Sequence, residues 1–466
     1  MTMLRLGRMF ATLSAAVSMV LGIVAAAAEP GAAASAAPRL TLAATQAYAG
    51  SDSTLTATLA GADGQPLPGA TVTFARRSDG TWRTIGTATT DAAGRATDTV
   101  TLAKDPADNR VRATYTDETG QKAAETAITA PLRKRVGVVR LGGPAKVVDE
   151  RSARLTVTWR TWAGEPVAGV VHIERRYRGG VWRPVRTVRT YAKGTAAFTV
   201  RPRVDTWWRA RASATWVAAD VSPVHKLDNV PPGKPVWLPK KAPRPRRHLP
   251  AQPHAVGAGA HPVITRIPNG IWRQMVGVSW HSGCPVGRAG LRLLRINYWD
   301  YAGYRRRGEL VAAAGAIRQM SAALAEMYRK GYPIRAMYRV DRFGYSKRSH
   351  GGNDYASMAA DNTYAFNCRD VTGRPGVRSP HSYGRALDVN TWENPYRSAQ
   401  GLVPDRWWQF HSHPRVAWRS SKHPVVRIMA RHGLRWTYGL GDTQHFDAVV
   451  RGRPLVVPGC GSAACD

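Results

Sequence analysis

Ser379-Pro-His-Ser-Tyr-Gly-Arg-Ala-Leu-Asp388 and Asp442-Thr-Gln-His-Phe446 decide how the C-terminal part of this chain is read. Together they offer two imidazoles and one carboxylate, His381, Asp388 and His445, with a second carboxylate, Asp442, near the last histidine. A catalytic zinc takes three protein ligands and leaves one position for water. It also needs a base beside that water, and Asp442 is suited to that role. His381 and Asp388 are too far apart for neighbouring turns of a helix, and a straight strand would separate them. Gly384 between them lets the chain bend, so a loop entering a strand aims both inward. Ala386, Asp388 and Asn390 then share one face, while Leu387 and Val389 face the core. In a second strand His445 and Asp447 share a face opposite to Phe446 and Ala448. Asp442 reaches the same point only through a turn, which Gly439-Leu-Gly441 supplies.

Around these stretches the pattern mixes helix and strand. Leu310, Ala314, Ile317, Met320, Leu324 and Met327 recur every three or four residues, which predicts an amphipathic helix over 309–330, ended by Gly331. Residues 334–340 alternate like a strand, and 424–432 reads as a short helix before Gly433. Helices beside a small sheet make an α+β domain over 263–466.

The N-terminal half reads differently. Pro66, Gly69, Arg76, Gly80, Trp82, Gly94 and Ala96 recur at a constant offset of 100 as Pro166, Gly169, Arg176, Gly180, Trp182, Gly194 and Ala196. So long a period means a duplicated domain rather than a solenoid. Short alternating runs between Gly-rich turns predict two all-β, immunoglobulin-like sandwiches, over 38–131 and 135–225. Neither copy holds a cysteine pair. Residues 226–262 are Pro-rich and basic, as in Lys240-Lys-Ala-Pro-Arg-Pro-Arg-Arg247, and read as a semi-rigid spacer.

The two opening stretches resemble the signature of the zinc D-alanyl-D-alanine carboxypeptidases and of the related L-alanyl-D-glutamate endopeptidases of bacterial viruses. That pattern is Ser-x-His-x-x-Gly-x-Ala-x-Asp followed by Asp-x-x-His-Phe, and every fixed position is met here. The similarity extends over roughly 270–450, through Gly283-Cys-Pro-Val-Gly287, Asn362-Thr-Tyr-Ala-Phe-Asn-Cys-Arg369 and Asn394-Pro-Tyr396. One departure is Trp436-Thr-Tyr-Gly439, where relatives often carry Trp-Gly-Gly. The resemblance implies Zn2+ held by His381, Asp388 and His445, with Asp442 as general base. It implies that Ser379 supports the site through a hydrogen bond. It also implies an arginine that grips a carboxylate or an oxyanion, with Arg369 as candidate and Arg342 as rival. Asp447 is a candidate partner that orients a histidine. The Asp91-Ala-Ala-Gly-Arg-Ala96 turn resembles bacterial immunoglobulin-like surface modules.

Arg5 and Arg8 before a 20-residue apolar run over 9–28, with small residues after it, read as a signal peptide over 1–36. A retained anchor is the competing reading, since the run is long enough to span a bilayer. Four cysteines in an exported chain read as two disulfides. Three connectivities are open, and local closure of the tail favours Cys460–Cys465 with Cys284–Cys368. The 67 Lys and Arg against 31 Asp and Glu give a formal charge of +36, which calls for an anionic partner. Export argues against nucleic acid and for anionic cell-wall polymers. The expectation is a secreted, wall-associated zinc peptidase acting on peptidoglycan stem peptides, with no membrane contact once the signal is removed. The alternative is a non-catalytic wall-binding or adhesion protein on a degenerate peptidase scaffold.

Overall fold

The computed structural model describes residues 37–371, 374–398 and 401–455. The expected signal peptide and the Cys460 and Cys465 pair lie outside the described residues. The chain divides into two units, one made of residues 1–136 with 214–218, the other of 137–213 with 219–466. Among the described residues no helix is long and apolar enough to cross a membrane.

In the first unit, β1 (Arg39–Ala44), β2 (Asp52–Ala60) and β5 (Arg95–Thr101) form one sheet in the order β1-β2-β5. The other sheet runs β4-β3-β6-β7, from β3 (Thr71–Ser78), β4 (Thr81–Thr89), β6 (Arg110–Thr116) and β7 (Lys122–Thr129). Alternation along β2 points Leu55, Ala57 and Leu59 inward, where they meet Val72, Phe74, Val111 and Ala113 of the facing sheet. Burying such side chains stabilises by about 1.5–3 kcal/mol each, and this core holds the module without a disulfide.

The second unit begins with the same plan. β8 (Gly137–Gly142), β10 (Ala153–Thr161) and β13 (Thr195–Val200) make one sheet. β9 (Lys146–Val148), β11 (Gly169–Arg176), β12 (Arg183–Thr190), β14 (Thr206–Ala212) and β15 (His225–Val230) make the other, in the order β9-β15-β14-β11-β12. The sequence repeat has a structural counterpart. Leu59 N–H donates to Gly94 O at 2.9 Å, and Trp159 N–H to Gly194 O at 2.8 Å. Both glycines have positive φ, 68° and 66°. A Cβ on either would lie 2.4 or 2.5 Å from the carbonyl oxygen of Leu59 or Trp159. The repeated glycine is required by this close approach.

Residues 226–262, read from the sequence as a semi-rigid spacer, make many contacts of their own. Their first residues, to Val230, complete β15. The remainder is tied at many points to the C-terminal domain. Gly233 N–H donates to Gly303 O, and Val236 N–H to Tyr301 O. Trp392 Nε1 donates to Pro243 O, and Tyr338 Oη to Pro250 O. Gln252 is buried, with its carboxamide bridging Met337: Nε2 donates to Met337 O and Oε1 accepts from Met337 N–H, both at 2.7 Å. Proline lacks an amide donor, so the strip is held by scattered amide, carbonyl and side-chain bonds rather than by a continuous ladder.

The C-terminal domain contains a three-stranded sheet, β16 (Val263–Thr265), β17 (Leu291–Trp299) and β18 (Arg305–Ala313). Three helices precede the site, α1 (Asn269–Met275), α2 (Ile317–Lys330) and α3 (Asp354–Met358). A fourth, α4 (Pro424–Arg431), closes the core. The helix expected over 309–330 therefore starts only at Ile317. Its first residues belong to β18, paired antiparallel with β17 from Leu291↔Ala313 to Trp299↔Arg305. Leu310 and Ala312 face the core, and Glu309 pairs with Arg295 across the hairpin. The helical spacing of Leu310 and Ala314 is coincidental, and sheet pairing prevails. The strand expected over 334–340 is reduced to one bridge, Ala336↔Asn362, before a 3-10 turn over Val340–Phe343.

β19 (Ala386–Asp388), β20 (Leu434–Arg435) and β21 (His445–Ala448) form a second small sheet in the order β19-β21-β20. Leu387 and Phe446 stand opposite each other and enter the core with Met320, Leu324, Ile428 and Met429. The other face of β19 and β21 is the site.

Candidate metal centre

The register of β19 and β21 assembles most of the site. Asp388 is directly opposite His445, and Ala386 opposite Asp447. Cross-strand partners bring their side chains within contact range. Asp388 Oδ1 accordingly lies 3.2 Å from His445 Nδ1.

His381 comes from the loop before β19. Ser379 caps a 3-10 turn over Pro380–Tyr383, its Oγ accepting from His381 N–H at 3.3 Å. Gly384 ends the turn at φ 63°, where a Cβ would lie 2.6 Å from the backbone nitrogen of Ala313. Only glycine fits that approach to β18. The bend read from the sequence is therefore real, and it sets His381 Nε2 3.2 Å from Asp388 Oδ2.

Hydrogen bonds choose which nitrogen of each histidine faces inward. His381 Nδ1 is 2.6 Å from Ala365 O. A carbonyl only accepts, so Nδ1 carries the proton and Nε2 keeps its lone pair. His445 Nε2 is 3.1 Å from Asp447 Oδ1, which leaves Nδ1 as the inward lone pair. Thr437 Oγ1 in turn donates to Asp447 Oδ2 at 2.6 Å. Asp447 thus sits between His445 and Thr437.

His381, Asp388 and His445 form a group that can hold a metal, their ligand atoms all within 4.8 Å of one another. All three are buried. Two imidazole lone pairs each 3.2 Å from one carboxylate repel it unless a cation or a proton intervenes. Two nitrogens and an oxygen are a donor set that zinc accepts. Asp442 lies just beyond, Oδ2 4.0 Å from His445 Nδ1 and equally buried. It follows the 3-10 turn over Gly439–Gly441. That loop is fastened by Thr443, whose carbonyl accepts from Nε1 of both Trp418 and Trp436. Thr443 Oγ1 donates to Pro395 O at 2.6 Å. The loop that departs from Trp-Gly-Gly still delivers Asp442, and Tyr438 in it packs on His445 at 5.2 Å between ring centroids.

Arg369 is buried behind the histidine. Its Nη2 is 3.0 Å from Asp354 Oδ2, and Tyr364 Oη donates to Asp354 Oδ1. Tyr364 stacks on His381 at 5.0 Å. Burial pushes the Asp354 carboxyl up from the usual range, opposed by Arg369 and by the Tyr364 hydroxyl. Arg342 is exposed, in contrast. Cys284 and Cys368 are bonded, with Cα atoms 5.9 Å apart, and the bridge anchors the residue before Arg369. Sequence reasoning missed Asp354, Tyr364, Thr437 and Tyr438. Tyr364 was within reach, since it stands in the Asn362–Arg369 run. Asp354 carries no signal in its spacing. His411 stacks on Trp407 at 3.6 Å and is exposed.

Residues 372–448 match a protein-family model described as D-alanyl-D-alanine carboxypeptidase. The match covers Ser379 to His445 and so includes every proposed ligand and Asp442. The C-terminal domain is peptidase-like on this evidence. Comparison with curated proteins gives no match. Among solved structures, Escherichia coli α2-macroglobulin activated by porcine elastase aligns over 56% of this chain at 11% identity and TM-score 0.17. The aligned part spans 26% of that protein's length. A marsupial T cell receptor aligns over 58% of this chain and 99% of its own, at 8% identity and TM-score 0.22. Neither likeness bears on the fold.

Proposed function

We propose that the chain is a secreted zinc-dependent peptidase that hydrolyses a peptide bond in peptidoglycan stem peptides, as a D-alanyl-D-alanine carboxypeptidase or an L-alanyl-D-glutamate endopeptidase. The observation that carries this reading is the convergence of His381, Asp388 and His445 with Asp442 at their edge, inside the matched segment. Zinc in such a site supplies Lewis acidity and lowers the pKa of water toward ~7.

The chain's own residues do the rest. Ala365 O and Asp447 fix the two imidazoles in the tautomers that bind metal. Asp442 accepts the proton of the attacking water at a carboxylate oxygen and returns it to the leaving amine. Arg369 acts through Asp354 and Tyr364, its charge fixed behind His381. We assign the stabilising role to it rather than to the exposed Arg342. The two N-terminal modules serve as immunoglobulin-like spacers or adhesive units, and the positive charge favours anionic wall polymers over nucleic acid.

The test is metal analysis of the purified protein together with mass analysis of fragments released from defined muropeptides. One zinc per chain and loss of D-alanine, or of a larger stem fragment, is expected. A zinc-loaded protein that releases nothing from any muropeptide would overturn the reading.

A further inference from the structure

The anchored basic strip has a second consequence. Where it crosses the C-terminal domain it walls a cleft of about 320 Å³, with Arg244, Arg247 and His248 on one side and Arg306, Arg335 and Tyr338 on the other. The cations of the far wall are already balanced. Arg306 Nε is 2.8 Å from Asp300 Oδ2, and Arg335 lies 2.6 Å from Asp361 and 2.7 Å from Glu393. Arg335 is held charged above its ordinary value by those two carboxylates, against the effect of burial. Arg244 and Arg247 are exposed, and neither has a carboxylate at ion-pair distance among the described residues. Arg247 rests on the ring of Phe343 at 5.6 Å, which restrains its side chain without neutralising it.

We propose that this cleft binds a phosphate group carried on a polyol or sugar chain. A guanidinium presents paired N–H donors that match phosphate oxygens two at a time. Two unbalanced guanidiniums are carried on a backbone strip fixed at Pro243, Arg247 and Pro250 before the ligand arrives. Preorganisation lowers the entropic cost of binding. Leu249, Pro250, Ala336 and Tyr338 give the cleft an apolar side, and its volume leaves room for the carrier of the phosphate as well as the phosphate itself. The inference rests on the proposed function only for the source of that ligand, an anionic wall polymer.

The experiment is a titration of the full chain with sodium pyrophosphate and with soluble poly(glycerol phosphate), at physiological ionic strength, followed by calorimetry. It compares R244A/R247A with R183A/R189A, which removes the same charge from exposed arginines of β12. Weakening of roughly tenfold or more for R244A/R247A, with the β12 variant near wild type, supports the cleft. Binding of the polymer alone assigns the site to a phosphodiester within a chain, and binding of pyrophosphate to a terminal phosphate. Equal weakening in the two variants would show that diffuse charge does the binding, and absence of saturable binding in the wild type would equally overturn the proposal. No peptide substrate enters the titration, so failure of the peptidase reading leaves its result standing.

Discussion

At the scale of single residues, the proposed chemistry separates metal holding from proton transfer. His445→Ala removes a proposed ligand whose Nδ1 faces Asp388 at 3.2 Å. It should empty the site of zinc and abolish hydrolysis, and a variant that still carries one zinc by metal analysis would refute the ligand set. Asp442→Asn keeps the shape but cannot take a proton at neutral pH. It should retain zinc and lose about 10²–10⁴-fold in kcat, and near-normal turnover would move the base elsewhere. Asp447→Ala removes the acceptor that holds His445 Nε2. Metal affinity measured by competition with a chelating dye should fall about 10–100-fold, while an unchanged affinity would make Asp447 a bystander. His381, Asp388, His445 and Asp442 could all be named from motif and spacing, because each belongs to a short run with its own bend or alternation. Asp354 could not. It reaches His381 by way of Tyr364, and a tertiary path of that kind leaves no period in the chain.

At the scale of elements, the turn before β19 depends on one left-handed glycine. Gly384→Ala puts a non-glycine residue at φ 63° and a methyl 2.6 Å from Ala313 N. The conformation alone costs roughly 1–2 kcal/mol, and the contact adds to it. A lower Tm together with weaker zinc binding is expected, and a wild-type Tm would mean that the turn relaxes without cost. The bridge between Cys284 and Cys368 closes a separation of 84 residues. In the chain-entropy model its loss removes about 4–5 kcal/mol, so C284S/C368S should unfold at clearly lower denaturant. The same scale shows where periodicity misleads. The 309–330 pattern ran through two elements because buried residues of β18 happen to fall in step with α2. Only the antiparallel partner, β17, breaks the tie, and a partner is not visible in a window of one strand. The short helix at Pro424–Arg431 had no such competitor and its start was plain from Pro424.

At the scale of the whole molecule, the chain is not a string of beads through residues 226–262. Those residues look like linker by composition, since proline and like charges favour extended, solvated chain. Their attachment depends on backbone and side-chain bonds to distant segments, such as Trp392, Tyr338 and Gly303, and no local pattern reports that. A chain trimmed to 263–466 therefore loses Gln252 and its two bonds to Met337. It should be less stable than one trimmed to 231–466, and thermal unfolding of the two is the check. Equal Tm values would mean that the strip only lies on the domain. The strip also bears on how the protein meets a protease. Lys240, Lys241, Arg246 and Arg247 would make a loose linker an early place for trypsin to cut, as exposed flexible segments are, whereas the Arg244–Pro245 bond resists it. Held down as it is, the segment should be nicked slowly. A nick near Arg247 should leave both flanking pieces clamped, one by Trp392 and the other by Gln252, so that the fragments separate only when the protein is denatured.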